Sequence, residues 1–461
     1  MFIGRERELS ALEKAYGKST FQMIVLYGRR RIGKTTLLSR FAEDKRAIFF
    51  SAQQVNDHLA LEQFSAKVLA FFEEKMIRRF DDWAMAFDYV GQKAANERFI
   101  LIIDEFPYLA SANPTLLSLL QHTIDHEWQK TQLYLVLCGS SIGFMESEVL
   151  GAKSPLFGRR TAQLQLTAFN YRDAAQFYPG FARLDQMRAY AIWGGVPNYI
   201  HLVDDQMSLS ENITATILQP DAYLAEEPVL FLKQEFREPA LYNSILQAIA
   251  SGASRINEIA TRVGEDSSKC LKYIQHLISI SLIARETPFL EPESSRRSIY
   301  RIIDPFFRFW YRFVFSNRDL IERGMGEVLL HEKILPGLDT FVGTEFEKIC
   351  LNYLWEQNRQ DRLPFLFTKI GRWWGNDPQH RTEAEIDLIA AGKDAALFCE
   401  CKWRNEPCSS AVLSLIEHRA TLLKPFPKAW FVLFSRAGFT PDLIQKVQAR
   451  EDVLLISVET M

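Results

Sequence analysis

The sequence predicts an α/β protein of several modules: a parallel sheet wrapped by helices, a helical middle, and a second, smaller α/β domain. Three observations carry this expectation. Over roughly the first 145 residues, short apolar runs alternate with amphipathic stretches, as in strands joined by helical crossovers and covered on both faces. After about residue 165 the strand signal fades into helical periodicity, and strand-like runs dominate again only beyond a long helix candidate at 341–357. A chain of 461 residues also exceeds what one hydrophobic core usually holds.

The first strand expectation is 23–27 (MIVLY), followed by a helix at 35–43. Further strands are expected at 47–50, 99–103 (FILII) and 133–137 (LYLVL), with helices at 64–74 and 114–127 between them. Residues 170–206 read as helical, interrupted at Gly194, Gly195 and Pro197, and a second helical group spans 212–250. The C-terminal strand-like runs are 365–370, 386–390, 396–403 and 429–434, with a helix at 411–423. No repeat, low-complexity tract or long Gly/Ser/Pro linker separates these parts, which predicts modules that pack on one another.

Composition excludes several classes. Hydrophobic residues make up 48% and charged residues 24%, too apolar for a disordered chain. With 54 Lys and Arg against 57 Asp and Glu, the formal charge of −3 argues against a uniformly basic nucleic-acid coat. It leaves room for a basic patch on one domain. Six cysteines without a CxxC pair argue against a disulfide framework or a zinc finger and fit a reducing compartment. The opening MFIGRERELS has no apolar signal-peptide core, and no apolar run approaches a bilayer span. The expected location is cytoplasmic.

Residues 28–35 read GRRRIGKT, a full GxxxxGK[ST] match between a strand and a helix. Gly28 and Gly33 let the loop curl so that the N–H groups of Gly28, Arg29, Arg30, Arg31, Ile32, Gly33, Lys34, Thr35 and Thr36 surround phosphate oxygens. Lys34 would reach the β- and γ-phosphates of ATP, and the Thr35 hydroxyl would bind Mg. The strand at 99–103 ends in Asp104 and Glu105. Asp104 would hold the Mg through water, and Glu105 would act as general base on the attacking water. A third strand ends in Ser140 and Ser141, either of which would sense the γ-phosphate or place the water. Arg159 and Arg160, in PLFGRR, are both arginine-finger candidates.

Together with the opening FIGREREL, these segments resemble the archaeal-type AAA and STAND-related P-loop ATPases. Trp193 to Pro197 (WGGVP) is similar to the Gly-x-Pro lid motif of that family. The resemblance covers residues 1 to about 235. It implies that Phe2 to Arg5 lie near the adenine and that the 170–235 helices form a lid.

Residues 251–304 predict a winged helix-turn-helix. A first helix at 255–263 carries Ile256, Ile259 and Ala260 on one face, and Gly264 makes the turn. Ser267 or Ser268 would cap the second helix, with Leu271, Ile274, Leu277 and Ile278 on its inner face. Strands at 284–289 and 298–302 would flank a wing. Eight Lys/Arg against six Asp/Glu over 251–303 make a weakly basic DNA reader. The aromatic run Phe306, Phe307, Phe309, Trp310, Tyr311, Phe313 and Phe315 reads as interdomain core rather than a base-stacking platform.

Residues 396–403 (ALFCECKW) place Phe398, Glu400 and Lys402 on one strand face and Cys399, Cys401 and Trp403 on the other. A strand beginning near Asp387 would pair with it and bring the two carboxylates together. Glu345 or Glu347 would add an acid from the preceding helix. Cys399 and Cys401 lack opposing histidines and are not expected to bind metal.

The constellation resembles the PD-(D/E)XK nuclease superfamily, as in the restriction-endonuclease-like, DUF234-type domain that accompanies this ATPase family, and covers about 341–461. The resemblance implies Mg on Asp387 and Glu400, Lys402 on the water or the phosphorane charge, and Glu347 as helix acid. Ile386 stands where the family pattern has proline.

The expected modules are an ATPase core at 1–168, a lid at 169–235, a winged helix at 236–304, connecting helices at 305–340 and a nuclease-like domain at 341–461. The expected function is Mg-dependent ATP hydrolysis coupled to DNA binding or processing. An ATP-gated DNA- or protein-binding switch with an inactive nuclease fold is the alternative. Double-stranded DNA and a second copy of the chain are the candidate partners.

Overall fold

The computed structural model describes residues 2–423 and 426–461. The chain divides into two compact units, Met1–Ala168 with Val196–Asn198, and Phe169–Gly195 with Tyr199–Met461.

The first unit is built on strands β1 (Gln22–Tyr27), β2 (Ala47–Ser51), β3 (Ile100–Asp104), β4 (Tyr134–Gly139) and β5 (Ala162–Gln165). They form one parallel sheet in the order β2-β3-β4-β1-β5. β1, β3 and β4 are buried along their whole length, because helices cover both faces and every side chain meets apolar neighbours. Helices α1 (Glu6–Tyr16) and α2 (Lys34–Ala42) cover one face, where Leu12, Leu37, Leu38 and Phe41 pack on Ile24, Leu26, Ile102 and Val136. Helices α3 (Asp57–Phe71), α4 (Trp83–Asn96), α5 (Phe106–Ala112) and α6 (Leu116–His126) complete the unit. There Phe50 of β2 meets Phe64 edge-on at 5.2 Å, and Phe64 meets Phe87 at 6.3 Å. α4 and β5 carry no signal strong enough to be expected from sequence. β5 is a short edge strand with alternating exposure.

The second unit begins with short helices and Arg183–Trp193. Gly195 is required by close approach: its carbonyl accepts from the Phe169 N–H at 2.8 Å, and a Cβ there would lie 1.9 Å from the Phe169 carbonyl oxygen. Helices Pro239–Ala250, Ile256–Val263 and Ser267–Ser279 are followed by the antiparallel pair β6 (Ile283–Glu286) and β7 (Ile299–Ile302). Two expectations here need correction. Asp266, not Ser267 or Ser268, occupies the N-cap position. The inner face of that helix uses Cys270, Ile274 and Leu277, while Leu271 is exposed, because the i, i+4, i+7 stripe through Cys270 is the one turned to the core.

The aromatic run is core. Phe306, Phe307, Phe309 and Trp310 are fully buried. Phe306 packs on Tyr199 at 5.0 Å, Phe307 on Phe231 at 5.4 Å, and Phe309 on Phe341 at 5.6 Å.

A long helix, Leu335–Arg359, leads into β8 (Lys369–Asp377), β9 (Thr382–Ala391), β10 (Ala395–Lys402), β11 (Lys428–Ser435) and β12 (Val453–Ser457). The sheet order is β12-β11-β10-β9-β8, antiparallel from β8 to β10 and parallel from β10 to β12. The strand expected at 365–370 begins only at Lys369. Phe365 and Phe367 belong to the preceding connection, where their rings pack on Trp430 and Trp355. Apolarity there serves side-chain packing, not a strand. β10 alternates as its sequence suggests. Phe398 joins Leu413 and Ile416 of helix Ser410–Ala420, whereas Trp403 packs on Phe346 of the long helix at 5.2 Å.

Gly195→Ala is expected to destabilise the second unit by about 1–3 kcal/mol, since the new methyl must displace backbone. Thermal unfolding of the purified variant measures this, and an unchanged Tm contradicts it.

Candidate functional sites

The carboxyl ends of β1, β3 and β4 lie side by side in the first unit, which is where open α/β sheets place ligands. β1 runs into the loop 28–33. Gly28 is irreplaceable there, because a Cβ would sit 2.3 Å from the Leu166 carbonyl oxygen and 2.6 Å from Ile32 Cδ1. Gly33 (φ 84°) and Arg31 (φ 69°) take left-handed conformations that curl the loop. A Cβ on Gly33 would lie 3.7 Å from Pro197 Cγ, so the segment Val196–Asn198 borders the loop.

Lys34 is buried and donates to the Gly28 and Arg29 carbonyls at 2.8 and 3.0 Å. Its ammonium therefore lies inside the loop's curl. The Thr35 hydroxyl donates to Asp104 Oδ2 at 2.9 Å. Thr35 and Asp104 thus present two adjacent hard oxygens, a donor set that suits Mg. Arg30 donates to the Tyr108 hydroxyl at 2.8 Å, and Thr36 is exposed at the start of α2.

Glu105 has φ 53°, left-handed for a residue with a side chain, and such strain clusters at functional sites. Its Oε2 accepts from the Ser140 hydroxyl at 2.8 Å and the Ser140 N–H at 3.2 Å. Of the two serines considered, Ser140 is therefore the one joined to Glu105. The buried Cys138 thiol is pushed up by burial and by Asp104 beside it, so it stays protonated.

Arg159 and Arg160 differ. Arg159 forms a two-pronged pair with Asp125 at 2.8 and 2.5 Å and donates to the Pro155 carbonyl at 2.8 Å. The guanidinium hydrogen bond holds Asp125 below its ordinary carboxylate range. Arg160 has no such ion pair among the described residues. Arg5 also has a role that its sequence position does not announce. Its guanidinium donates to the Ile32 carbonyl at 3.1 Å and the Thr167 carbonyl at 2.7 Å, bracing the loop from behind.

A second constellation lies in the C-terminal sheet. The β9–β10 ladder ends at Leu388 opposite Cys399. Where the strands part, Asp387 Oδ2 accepts the Cys401 N–H at 2.7 Å. Asp387 is pushed up to about 8, first by burial and then by the Glu400 and Glu347 carboxylates. Three acids thus meet inside the domain, and such an arrangement is relieved by a proton or a cation. Glu400 is paired with Lys402 and, at 3.3 Å, with Arg419. Arg419 sits on a helix 19 residues downstream and gives no local sequence signal.

The two helix acids sit in different surroundings. Glu345 is buried in an ion pair with Arg308 at 3.3 Å and Lys348 at 3.2 Å. Glu347, two residues on and so on the other side of the helix, is the acid that Asp387 feels, and burial holds its carboxyl above the ordinary range. Cys399 and Cys401 are buried thiols raised by burial, with Cys401 hydrogen-bonded to Cys350.

In the second unit, the segment from β6 to β7 is not splayed into solvent. The Phe289 N–H donates to the Arg372 carbonyl at 2.8 Å, and its ring joins the C-terminal core with Ile386 and Ile389. Arg297 is paired with Glu291 and donates to the Trp374 carbonyl. Lys269 is paired with Glu265 at 2.8 Å, while Lys272 is exposed.

Among known proteins, a family model described as an ATPase domain predominantly from Archaea matches residues 2–203. A second, of archaeal and bacterial proteins of unknown function, matches residues 310–415. That match begins in the aromatic run rather than at 341. An uncharacterized protein of Methanocaldococcus jannaschii is 35% identical over 407 residues, 88% of each chain. An uncharacterized ATP-binding protein of the same organism is 46% identical over 46 residues, 10% of this chain and 78% of its own. A solved Walker-type ATPase of Pyrococcus abyssi shares the fold with TM-score 0.52 and 18% identity, over 68% of this chain and 96% of that one. No helix among the described residues is long and apolar enough to cross a membrane.

Asp387 ionises less readily in the folded chain than in the unfolded one, so the metal-free protein loses stability as pH rises from about 4 to 8. Asp387→Asn removes that cost. At pH 8.5 or so without divalent metal, the variant should unfold at a higher temperature than the parent, by on the order of 1 kcal/mol or more. At about pH 4 the difference should vanish. An equal or lower Tm at the higher pH would show that no such cost exists.

Proposed function

Because the chain belongs to the archaeal-type ATPases that carry, behind the nucleotide-binding domain, a segment shared with archaeal and bacterial proteins of unknown function, we propose that it couples Mg-dependent ATP hydrolysis to the binding or processing of DNA. The observation that carries the ATPase part is the junction of Thr35, Asp104, Glu105 and Ser140 at one sheet edge. The loop N–H groups and Lys34 bind the phosphates, with Arg5 keeping the loop in shape. Thr35 and Asp104 would hold the Mg, which would neutralise phosphate charge. Glu105 takes a proton from the attacking water, and Ser140 holds that carboxylate in position. Arg160 is the finger for a neighbouring copy, since Arg159 is committed to Asp125.

The second unit supports a nuclease-like reading of the region 341–461. Asp387 and Glu400 supply the metal-binding acids, Glu347 the helix acid and Lys402 the cation at the phosphate. Residues 236–304 form a winged helix in this reading. Its wing is docked on β8 through Phe289 and Arg297, which favours a packing role and leaves Lys272 as a cation for phosphate contact.

One observation favours the alternative, a switch with an inactive nuclease fold: Lys402 and Arg419 both pair with Glu400, so substrate must compete with these pairs.

Lys34→Ala is expected to abolish ATP binding. Glu105→Gln should bind ATP yet hydrolyse it at least ~10²-fold more slowly, as read by nucleotide binding and phosphate release on the same preparations. A Glu105→Gln enzyme with normal turnover would remove Glu105 as the base. Supercoiled plasmid incubated with Mg or Mn, with and without ATP, tests the other centre. Nicking that Lys402→Ala abolishes supports cleavage, whereas intact plasmid with ATP turnover preserved selects the switch.

A further inference from the structure

A third cluster belongs to neither site. Asp377 ends β8, His380 lies in the turn before β9, and His418 lies in the last turn of helix Ser410–Ala420. We propose that Asp377, His380 and His418 form a binding site for a divalent transition-metal ion, zinc by its ligand chemistry. His380 Nδ1 and His418 Nε2 each lie 2.7 Å from the same oxygen, Asp377 Oδ2. One donor atom from each residue falls within a span of 4.8 Å. The two rings meet edge to face at 86°, with centroids 4.8 Å apart, so their nitrogens converge on the carboxylate without the rings stacking.

The site is also prepared from behind. Asp377 is only 4% exposed. Its other oxygen, Oδ1, accepts the Gln379 and His380 N–H groups at 2.9 and 3.2 Å. These bonds fix the carboxylate and aim Oδ2 at the imidazoles, as outer-shell partners do in zinc sites. A small outward shift of the two rings from the carboxylate opens the tetrahedral spacing that metal–ligand bonds of ~2.0–2.1 Å require. Each imidazole then offers the lone pair of the nitrogen that faces Asp377, with the ring proton carried on the other nitrogen.

Ligand type separates this site from the acidic one. Two imidazoles and one carboxylate suit zinc, cobalt or nickel, whereas Asp387, Glu400 and Glu347 are all-oxygen ligands suited to Mg or Mn. Three protein ligands leave a fourth position, and His380 is exposed, so the ion has a path in and a place for water. Bound there, the metal ties the β8–β9 turn to the helix end whose next residue, Arg419, pairs with Glu400.

The full-length protein is stripped with chelator, given one equivalent of zinc, desalted and assayed for metal content. Cobalt substitution is read by its visible absorption. One zinc per chain and tetrahedral cobalt bands are expected. His380→Gln and His418→Gln should each weaken zinc by more than the ~10–100-fold expected of an outer-shell partner. Both variants should keep parental circular dichroism and ATP turnover. The double variant Asp387→Asn, Glu400→Gln should retain its zinc. Failure of the parent to keep zinc overturns the proposal. So does equal retention by the two histidine variants, or loss of zinc only in the Asp387 and Glu400 variant.

Discussion

With β4 inserted between β1 and β3, the phosphate loop, the Asp104–Glu105 strand end and Ser140 are brought to one edge of a parallel sheet. The rest of the first unit depends on that order. Parallel strands buried on both faces deliver their last residues at a common edge, and each delivers a different group there. β1 supplies a loop of inward N–H groups, β3 two carboxylates, and β4 a serine that engages one of them. The apolar packing of α1 and α2 beneath the sheet keeps those ends in register. The strained Glu105 backbone is tolerated because β3 and α5 fix it from both sides.

The C-terminal centre works by an opposite logic. The nucleotide site gathers donors for an anion, while the second site gathers acids that repel one another. Burial and the neighbouring Glu400 and Glu347 carboxylates raise the Asp387 carboxyl above its ordinary range. Glu345, only two residues from Glu347, escapes this because Arg308 and Lys348 neutralise it. Two glutamates of one helix thus differ entirely in what they can do, and helix phase is the cause.

In sequence between them lies the region 236–304. Its helices and two strands have the order expected of a DNA reader, yet its connecting segment is built into the core of the neighbouring sheet. A connecting segment that donates a backbone hydrogen bond to β8 and buries a phenylalanine acts as a strut. The aromatic run after it has the same character, because rings of this size contribute most when surrounded on all sides.

Much of this was legible in the sequence, and for local reasons. Loop residues 28–35, the strand ends at Asp104 and Ser140, and the alternation in β10 are each contained in a few consecutive residues. Their periodicity and glycine placement follow from short-range sterics. What tertiary structure decided are the relations between segments. Strand order brought Ser140 to Glu105, and helix phase turned Glu345 to Arg308 and Glu347 toward Asp387. The salt bridge to Asp125 distinguished Arg159 from Arg160. Arg419 with Glu400, His418 with Asp377 and Arg5 with Thr167 join residues 19, 41 and 162 positions apart. No local pattern encodes such pairings, because they arise only when the hydrophobic core fixes which surfaces face each other.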